Sequence, residues 1–201
     1  MKSYIIADEW KVIENEFNNE VNEVSESLCS IGNGHMGQRA NFEEDFSGHS
    51  LQGSYVGGIY YPDKTKVGWW KNGYPEYFAK VLNSVNWIGL RIWINGEALD
   101  LKKVSSIKSF NRSLDMMDGI LYRKFHCVLQ NGSEIKVEAK RFVSMSENEL
   151  GLLQYNIQSV NFEGTIEIES YLDFDVVNKD SNYDEKFWEE VYKEGSEGQA
   201  I

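Results

Sequence analysis

The sequence contains little cysteine and little histidine, and neither residue type is arranged for disulfide or metal chemistry. Only two of the 201 residues are cysteines, Cys29 and Cys127, and only three are histidines, His35, His49 and His126. Two distant thiols build neither a disulfide framework nor a zinc site, and the histidines lack metal-ligand spacing. We therefore expect reduced thiols, no metal site and no cofactor.

Long apolar runs are absent, and basic residues are scarce. No stretch approaches the ~20 apolar residues that span a bilayer, and the first ten residues do not form a secretory signal. Lys and Arg number 20 against 32 Asp and Glu, giving a net charge of −12. This balance argues against nucleic acids and anionic membranes as partners, because both attract basic surfaces. We expect a cytoplasmic protein.

What the sequence does contain is strand-like alternation between turn signals. Residues 87–94 place isoleucines and a leucine at every second position, which predicts a half-buried strand. Asn95-Gly96 follows, a dipeptide that suits a two-residue hairpin turn. Such a turn pairs Ile94 with Glu97 and keeps the apolar side chains on one face.

A second hairpin is predicted from residues 119–130 and 133–145. A two-residue turn would bring lysines onto its apolar face. A longer turn with Gly132 in the left-handed conformation pairs Phe125 with Val137 and preserves both faces. We predict this longer turn.

The remaining pattern completes an all-β prediction. Residues 150–160 and 164–172 are expected to extend the second hairpin as a meander, and Asp184–Glu194 is expected to form a short helix. The sequence has only two prolines, and many Asn-Gly dipeptides or single glycines interrupt it. This pattern is typical of short strands joined by turns. The predicted fold is mainly β, an antiparallel β-sandwich with few short helices, forming one domain over residues 1–201.

Two motifs resemble ligand-binding sites, but the sequence around each of them does not support that function. Gly32–Gly37 matches G-x-G-x-x-G, yet no βαβ unit surrounds it, so a tight bend is the better interpretation. Asp173 and Asp175 resemble half a calcium loop, but Asn178 stands where that loop needs glycine. A capped turn is predicted there instead.

Acidic pairs such as Glu43-Glu44 could in principle serve glycoside chemistry, which uses a carboxylic acid with a raised pKa. Asp173 and Asp175 are a second pair of this kind. Nothing in the sequence marks either pair as desolvated, so we assign no catalytic residue to this chain.

The segment from residue 53 to residue 77 is rich in glycine and aromatic residues and shows no sustained alternation, which predicts a long ordered loop. Its aromatic rings with polar neighbours would suit either a sugar or a domain interface. Both interpretations remain open. The candidate substrate-pocket or interface residues are Trp69, Trp70, Lys71, Asn72 and Tyr74.

Eight stretches of the sequence carry a resemblance to a known family: Glu26–Gly37, Asn41–Glu44, Tyr60–Thr65, Gly68–Pro75, Asn95–Glu97, Arg141-Phe142, Leu172–Asn178 and Ser181–Glu185. Together they resemble the amino-terminal domain of family 65 glycoside hydrolases, and within that family the maltose phosphorylases. His35, where the family pattern has Tyr, and Phe174, where it usually has Gly, depart from the resemblance.

The resemblance implies a supersandwich that precedes an (α/α)6 catalytic barrel absent from this chain, and it implies that the sandwich itself is incomplete here. It implies an inverting phosphorolysis, in which maltose and inorganic phosphate give β-glucose 1-phosphate and glucose. Phosphate is the nucleophile, so one general acid suffices, and the resemblance places that acid in the barrel. We expect this chain to be inactive alone, to pack on its barrel and to aid homodimerisation. A stand-alone carbohydrate-binding or interaction module is the alternative.

Overall fold

The computed structural model describes residues 4–65, 73, 75–179, 186–191, 195–196 and 199–200. Within these residues the chain forms sixteen strands, one α-helix, α1 (Asn22–Leu28), and one 3-10 turn, Asn19–Val21. None of the described helices is long and apolar enough to cross a membrane. In chain order the strands are β1 (Ile5–Ala7), β2 (Lys11–Glu14), β3 (Ile31–Gly32), β4 (Met36–Gln38), β5 (Ser54–Val56), β6 (Tyr60–Lys64), β7 (Tyr77–Val81), β8 (Leu90–Ile94), β9 (Glu97–Ala98), β10 (Ser106–Asp115), β11 (Ile120–Val128), β12 (Glu134–Val143), β13 (Gly151–Ser159), β14 (Ile166–Ser170), β15 (Gly195–Ser196) and β16 (Gln199–Ala200).

The largest sheet has six antiparallel strands in the order β1-β2-β10-β11-β12-β13. Its β11–β12 hairpin has the predicted register, with Phe125 opposite Val137. Gly132 has a φ of 83°, the left-handed conformation that the longer turn requires. The second predicted hairpin is therefore confirmed.

A second sheet has the order β14-β8-β9. Ile94 pairs with Glu97, and Asn95 and Gly96 have φ values of 50° and 79°, so the first predicted hairpin is also confirmed. The predicted meander is wrong at its last strand. β14 pairs with β8, with Ile166 opposite Ile94, and leaves β13 as an edge of the large sheet. Pairing with β8 places Ile166 against the buried core.

The core lies between these two sheets, as the sandwich prediction requires. Inward side chains of β8 and of the loop after β9 meet those of β10, β11 and β12. The main buried cluster consists of Phe42, Leu90, Ile92, Ile94, Leu99, Leu101, Phe110, Phe125, Cys127, Leu129, Ile135 and Val137.

The two Asn-Gly turns hold the sheets together at one end of the sandwich. Asn131 Nδ2 donates to the carbonyl of Ile94 at 3.0 Å, and Asn95 Nδ2 donates to Ser133 Oγ at 3.0 Å. The Glu97 carboxylate accepts the backbone N–H of Asn131 at 2.7 Å. Each turn thus satisfies polar groups of the other. We call this arrangement the turn clasp.

The glycine-rich motif is a bend between two short antiparallel strands, β3 and β4. The side chain of Asn33 accepts the N–H groups of His35 and Met36 at 2.9 and 2.7 Å, and Gly34 has a φ of 84°. No βαβ unit surrounds it in the described residues, so the predicted tight bend is confirmed.

Two other predictions need correction. The segment from residue 53 to residue 77 is not one long loop, because it contains β5, β6 and the start of β7. Aromatic residues on both faces of β6 hide the alternation that would have marked it as a strand. The predicted helix is also wrong for residues 186–191, which form no helix. Phe187 and Trp188 instead contact the β6–β7 region.

Candidate functional site

The β6–β7 hairpin carries the aromatic segment that sequence analysis singled out. The two strands are antiparallel, with Tyr61 opposite Lys80 and Tyr60 opposite Val81. Directly opposite residues share a face of a β-ribbon, so the hairpin has two chemically different faces.

One face is anchored to the rest of the domain. Asp63 and Lys80 form a buried ion pair at 3.5 Å. The Tyr61 ring lies 4.7 Å from the Phe187 ring, and Lys80 Nζ lies 4.8 Å from the centroid of that ring. Trp188 Nε1 donates to the carbonyl of Asn83 at 2.8 Å, just after β7. These contacts fix the hairpin against residues that follow the last sandwich strand.

The other face is not covered by any residue that the structure describes. All six of its residues are exposed, with Tyr60 at 54%, Tyr77 at 52% and Val81 at 50%. A groove here is lined by Tyr60, Pro62, Tyr77 and Ala79 of this face, together with Phe78 of the opposite face. Exposed apolar surface gathered in one place marks an interaction site more often than scattered apolar residues do. We call this side the aromatic face, formed by Tyr60, Pro62, Lys64, Tyr77, Ala79 and Val81.

The five candidate residues Trp69, Trp70, Lys71, Asn72 and Tyr74 lie outside the described residues. They belong to the connection between β6 and β7. The ends of that connection are held together, because the Thr65 N–H donates to the Glu76 carbonyl at 2.9 Å and Thr65 Oγ1 donates to the Pro75 carbonyl at 2.5 Å. Their role remains a prediction.

A second polar feature, which sequence analysis did not predict, lies inside the sandwich. Arg112, Arg123 and Arg141 occupy inward positions on β10, β11 and β12 and are 0–3% exposed. Arg112 lies directly opposite Arg123 in the sheet. The Phe42 ring lies 5.1 Å from the Arg112 guanidinium and 4.5 Å from that of Arg123. We call these arginines, with the glutamates described next, the buried ionic network.

Four buried glutamates belong to the network, and three of them, Glu14, Glu43 and Glu44, contact an arginine directly. Arg123 binds Glu43 and Glu44, with Nη1 donating to Glu44 Oε1 at 2.6 Å. The remaining contacts connect the network to strand β2 and to helix α1. Arg141 Nη1 donates to Glu43 at 3.1 Å, Arg112 Nε contacts Glu14 at 3.0 Å, and Arg112 Nη2 donates to Asn22, whose Nδ2 donates to Glu26 at 3.0 Å.

Two opposing effects set the pKa values in the network. Burial disfavours the charged form of each side chain, and ion pairing favours it. Burial alone would raise the pKa of Glu43, but Arg123 and Arg141 hold that pKa below its ordinary value. Burial lowers the pKa of Arg141, although it remains paired with Glu43. Glu26 differs, because burial raises its pKa despite the hydrogen bonds it accepts.

This geometry indicates a structural role for Glu43 and Glu44, not a catalytic one. A general acid must reach its substrate, whereas both carboxylates are buried and bound to Arg123. The second acidic pair forms the predicted capped turn, since Asp173 Oδ1 accepts the N–H of Asp175 at 2.9 Å. No cluster of three metal-ligating side chains occurs among residues that the structure describes.

A signal for the network was present in the sequence. Arg123 shares a strand face with Leu121 and Phe125, and Arg141 lies between Ala139 and Val143 on another. A charged residue at an apolar position of a two-residue period predicts a buried ion pair. The partners could not be predicted, because Glu43 and Glu44 lie about eighty residues before Arg123.

Comparison with known proteins places these features in a family. Residues 12–200 match the family described as glycosyl hydrolase family 65, N-terminal domain. The maltose phosphorylase of Bacillus subtilis is 45% identical over 92% of this chain. From Thermoanaerobacter brockii, a kojibiose phosphorylase is 32% identical over 89% of the chain, and an α,α-trehalose phosphorylase is 30% identical over 88%.

The structural comparison agrees. A solved structure from the human microbiome, assigned as a kojibiose phosphorylase, covers 99% of this chain with a TM-score of 0.85 and 31% identity. The chain spans 24% of the Bacillus subtilis enzyme, 21% and 23% of the two Thermoanaerobacter enzymes, and 26% of the structural neighbour. The chain therefore belongs to the family of N-terminal domains of family 65 glycosyl hydrolases, which these phosphorylases share.

Proposed function

We propose that this chain is the non-catalytic N-terminal domain of a cytoplasmic phosphorylase that cleaves maltose with inorganic phosphate. Maltose is favoured over kojibiose and trehalose because identity is 45% to the maltose enzyme and 32% and 30% to the other two. In the reaction the glycosidic C1–O4 bond breaks and a C1–O bond to phosphate forms with inversion. A carboxylic acid gives its proton to the departing glucose oxygen.

The burial of the Glu43-Glu44 pair supports the non-catalytic assignment. The acidic pair with the best claim to glycoside chemistry is held by Arg123 inside the sandwich. The general acid is therefore expected from the catalytic barrel that the family resemblance implies. The isolated chain should release no glucose 1-phosphate from maltose and phosphate.

The aromatic face is the observation that carries the proposed role. Its uncovered tyrosines suit a domain interface, where Tyr is enriched, and the hairpin carries the Trp69–Tyr74 connection. We propose that this face packs on the catalytic barrel and that Trp69, Trp70, Lys71, Asn72 and Tyr74 wall the disaccharide pocket. A homodimer of the intact enzyme is part of the same proposal.

A chimera tests this function. The chain would replace the matched 24% of the Bacillus subtilis maltose phosphorylase, and glucose 1-phosphate release would be assayed with maltose, kojibiose and trehalose. We expect activity on maltose. Changing Trp69 and Trp70 to Ala should raise KM for maltose or lower kcat, whereas Trp10→Ala should change neither. Trp10 is the control because it is an exposed tryptophan, 45% accessible, between β1 and β2.

Two outcomes would contradict parts of the proposal. Unchanged maltose kinetics in the Trp69/Trp70 double variant, with altered stability or dimerisation, would make these residues interface rather than pocket. Binding of maltose or longer glucans by the isolated chain in calorimetry would favour the alternative, a stand-alone carbohydrate-binding module. Sedimentation of the chimera would test the homodimer.

A further inference from the structure

The two ends of the β6–β7 hairpin are tied together where it leaves the domain. Ser54 belongs to β5, just before the hairpin, and Asn83 and Ser84 follow directly after β7. The Ser54 N–H donates to Asn83 Oδ1 at 2.9 Å, and the Ser54 carbonyl accepts the Ser84 N–H at 2.6 Å. All three residues are buried. The hairpin therefore projects from a closed and buried base.

Asn83 uses all of its polar groups at this base. Its Nδ2 donates to the carbonyls of Gln52 at 3.0 Å and of Val177 at 3.2 Å. Its backbone N–H donates to Asn178 Oδ1 at 2.9 Å, and its carbonyl accepts Trp188 Nε1 at 2.8 Å. The side chain must both donate and accept here, which an aspartate or an alanine cannot do. Asn83 thus connects the hairpin to segments far before and far after it in the chain.

Asn178 completes the base from the other side. Its Nδ2 donates to the Val81 carbonyl at 2.8 Å while its Oδ1 accepts the Asn83 N–H, so one side chain binds the two backbone groups that flank Leu82. Asn178 is 4% exposed. The glycine that a calcium loop needs at this position would leave both backbone groups without these bonds. The residue that disagrees with the calcium-loop pattern therefore holds the end of β7. We call Asn83 and Asn178 the amide pair.

The position of the amide pair gives it leverage over the far end of the hairpin. An extended chain from Asn83 back to Pro75 is about 26 Å long, so a tilt of about 5° at the base moves the far end by about 2 Å. Buried polar networks whose members are all satisfied fix one arrangement of the elements they join. Displacements of about 1 Å are large enough to impair a substrate site.

We infer that Asn83 and Asn178 are positioning residues, which set the angle of the β6–β7 hairpin and through it place Trp69 and Trp70 at the disaccharide. The inference rests on the proposed function, because that proposal assigns the Trp69–Tyr74 connection to the pocket wall. Neither asparagine contacts the sugar. A misplaced wall weakens substrate and transition state alike, which raises KM and leaves kcat nearly unchanged.

Two buried asparagines test the inference in the chimera. Asn178→Ala should raise KM for maltose about fivefold and change kcat by less than about twofold. Asn22→Ala is the control, because Asn22 is also buried but binds Glu26, His49 and Arg112, away from the hairpin. The control should lose stability without a change in KM. An equal rise of KM in both variants would trace the effect to general destabilisation and overturn the inference.

A third substitution asks whether Asn178 acts through the tryptophans. In a chimera that already carries Trp69→Ala and Trp70→Ala, Asn178→Ala should raise KM no further, because the wall that it positions is gone. A further fivefold rise in that background would overturn the inference.

Hydrogen exchange tests the positioning role without any sugar, so its outcome is separate from that of the proposed function. Amides of residues 60–81 should exchange faster in Asn178→Ala, and Asn22→Ala should leave them unchanged. Trp188→Phe is a milder variant that removes the donation to the Asn83 carbonyl, and it should act in the same direction if Asn178→Ala does not fold. Unchanged exchange of the hairpin in the folded variants would overturn the inference. Faster exchange together with normal maltose kinetics after loss of the tryptophans would instead reject only the pocket wall.

Discussion

Arg123 donates from Nη1 to Glu44 Oε1 at 2.6 Å, and neither side chain is more than 3% exposed. The contact joins a central strand of the large sheet to a segment without regular secondary structure. Glu44 also forms a β-bridge with Leu90 of the second sheet, and Tyr155 donates to Glu44 Oε2 at 3.1 Å. A single buried pair therefore connects both sheets of the sandwich and its edge strand.

Removing the Arg123 guanidinium should lower the free energy of unfolding. Arg123→Met leaves Glu44 buried without its cation, and such an uncompensated charge costs about 3–5 kcal/mol of unfolding free energy. Urea unfolding followed by tryptophan fluorescence measures this. Lys124→Met is the matched control, because Lys124 is the next residue and pairs with Glu138 on the exposed face. The control should leave the midpoint nearly unchanged, and an equal loss in both variants would contradict the prediction.

The pH dependence of stability should reflect Glu43. Its carboxyl has a lowered pKa in the folded state, so its contribution is present above its ordinary value of 4.5 and is lost as pH falls through the folded pKa. Glu26 has the opposite effect on the pH dependence of stability. Burial raises its pKa, so the stability that it contributes is present below pH 4.5 and is lost as pH rises through the folded pKa. Glu43→Gln should therefore flatten the loss of stability on acidification, as measured by urea unfolding between about pH 3 and 7. An unchanged slope would assign the acid sensitivity to other carboxyls.

The two thiols should be unreactive in the native protein. Cys29 and Cys127 are free and buried, and burial raises their pKa to about 11 and about 12. Because the thiolate is the nucleophile, alkylation by iodoacetamide at neutral pH should be slow until the chain unfolds. Mass spectrometry with and without urea checks this. Rapid labelling of Cys127 in the folded chain would mean that the core opens locally at β11.

The turn clasp should contribute measurably to stability. Asn131→Ala removes the bond to the Ile94 carbonyl and the cap on the Ser133 N–H, and we expect a loss of about 1–3 kcal/mol. Asn111→Ala is the control, since its side chain bonds only to the exposed Asn15 in the contacts described. Denaturant midpoints compare the two. If the control lost as much stability, the cross-sheet position of Asn131 would not be the cause.

Local rules predicted the strands of the two hairpins and both hairpin registers. Asn95-Gly96 and Gly132 need particular backbone conformations, and a two-residue period then leaves one register that keeps each apolar face intact. The same rules misplaced β14. Ile166 alternates correctly whichever strand lies beside it, so periodicity could not choose between β13 and β8.

The candidate site, too, could be predicted only in part from the local sequence. The aromatic segment was evident from composition, but its role as the connection of a hairpin with an uncovered face needed the pairing of Tyr60 with Val81. The sequence by itself determined an acidic antiparallel sandwich with two tight turns and a family resemblance, because these depend on neighbouring residues. Only the tertiary structure decided which sheet β14 joins and that Glu43 and Glu44 neutralise Arg123. Those outcomes depend on contacts between residues far apart in the chain, which local propensity does not encode.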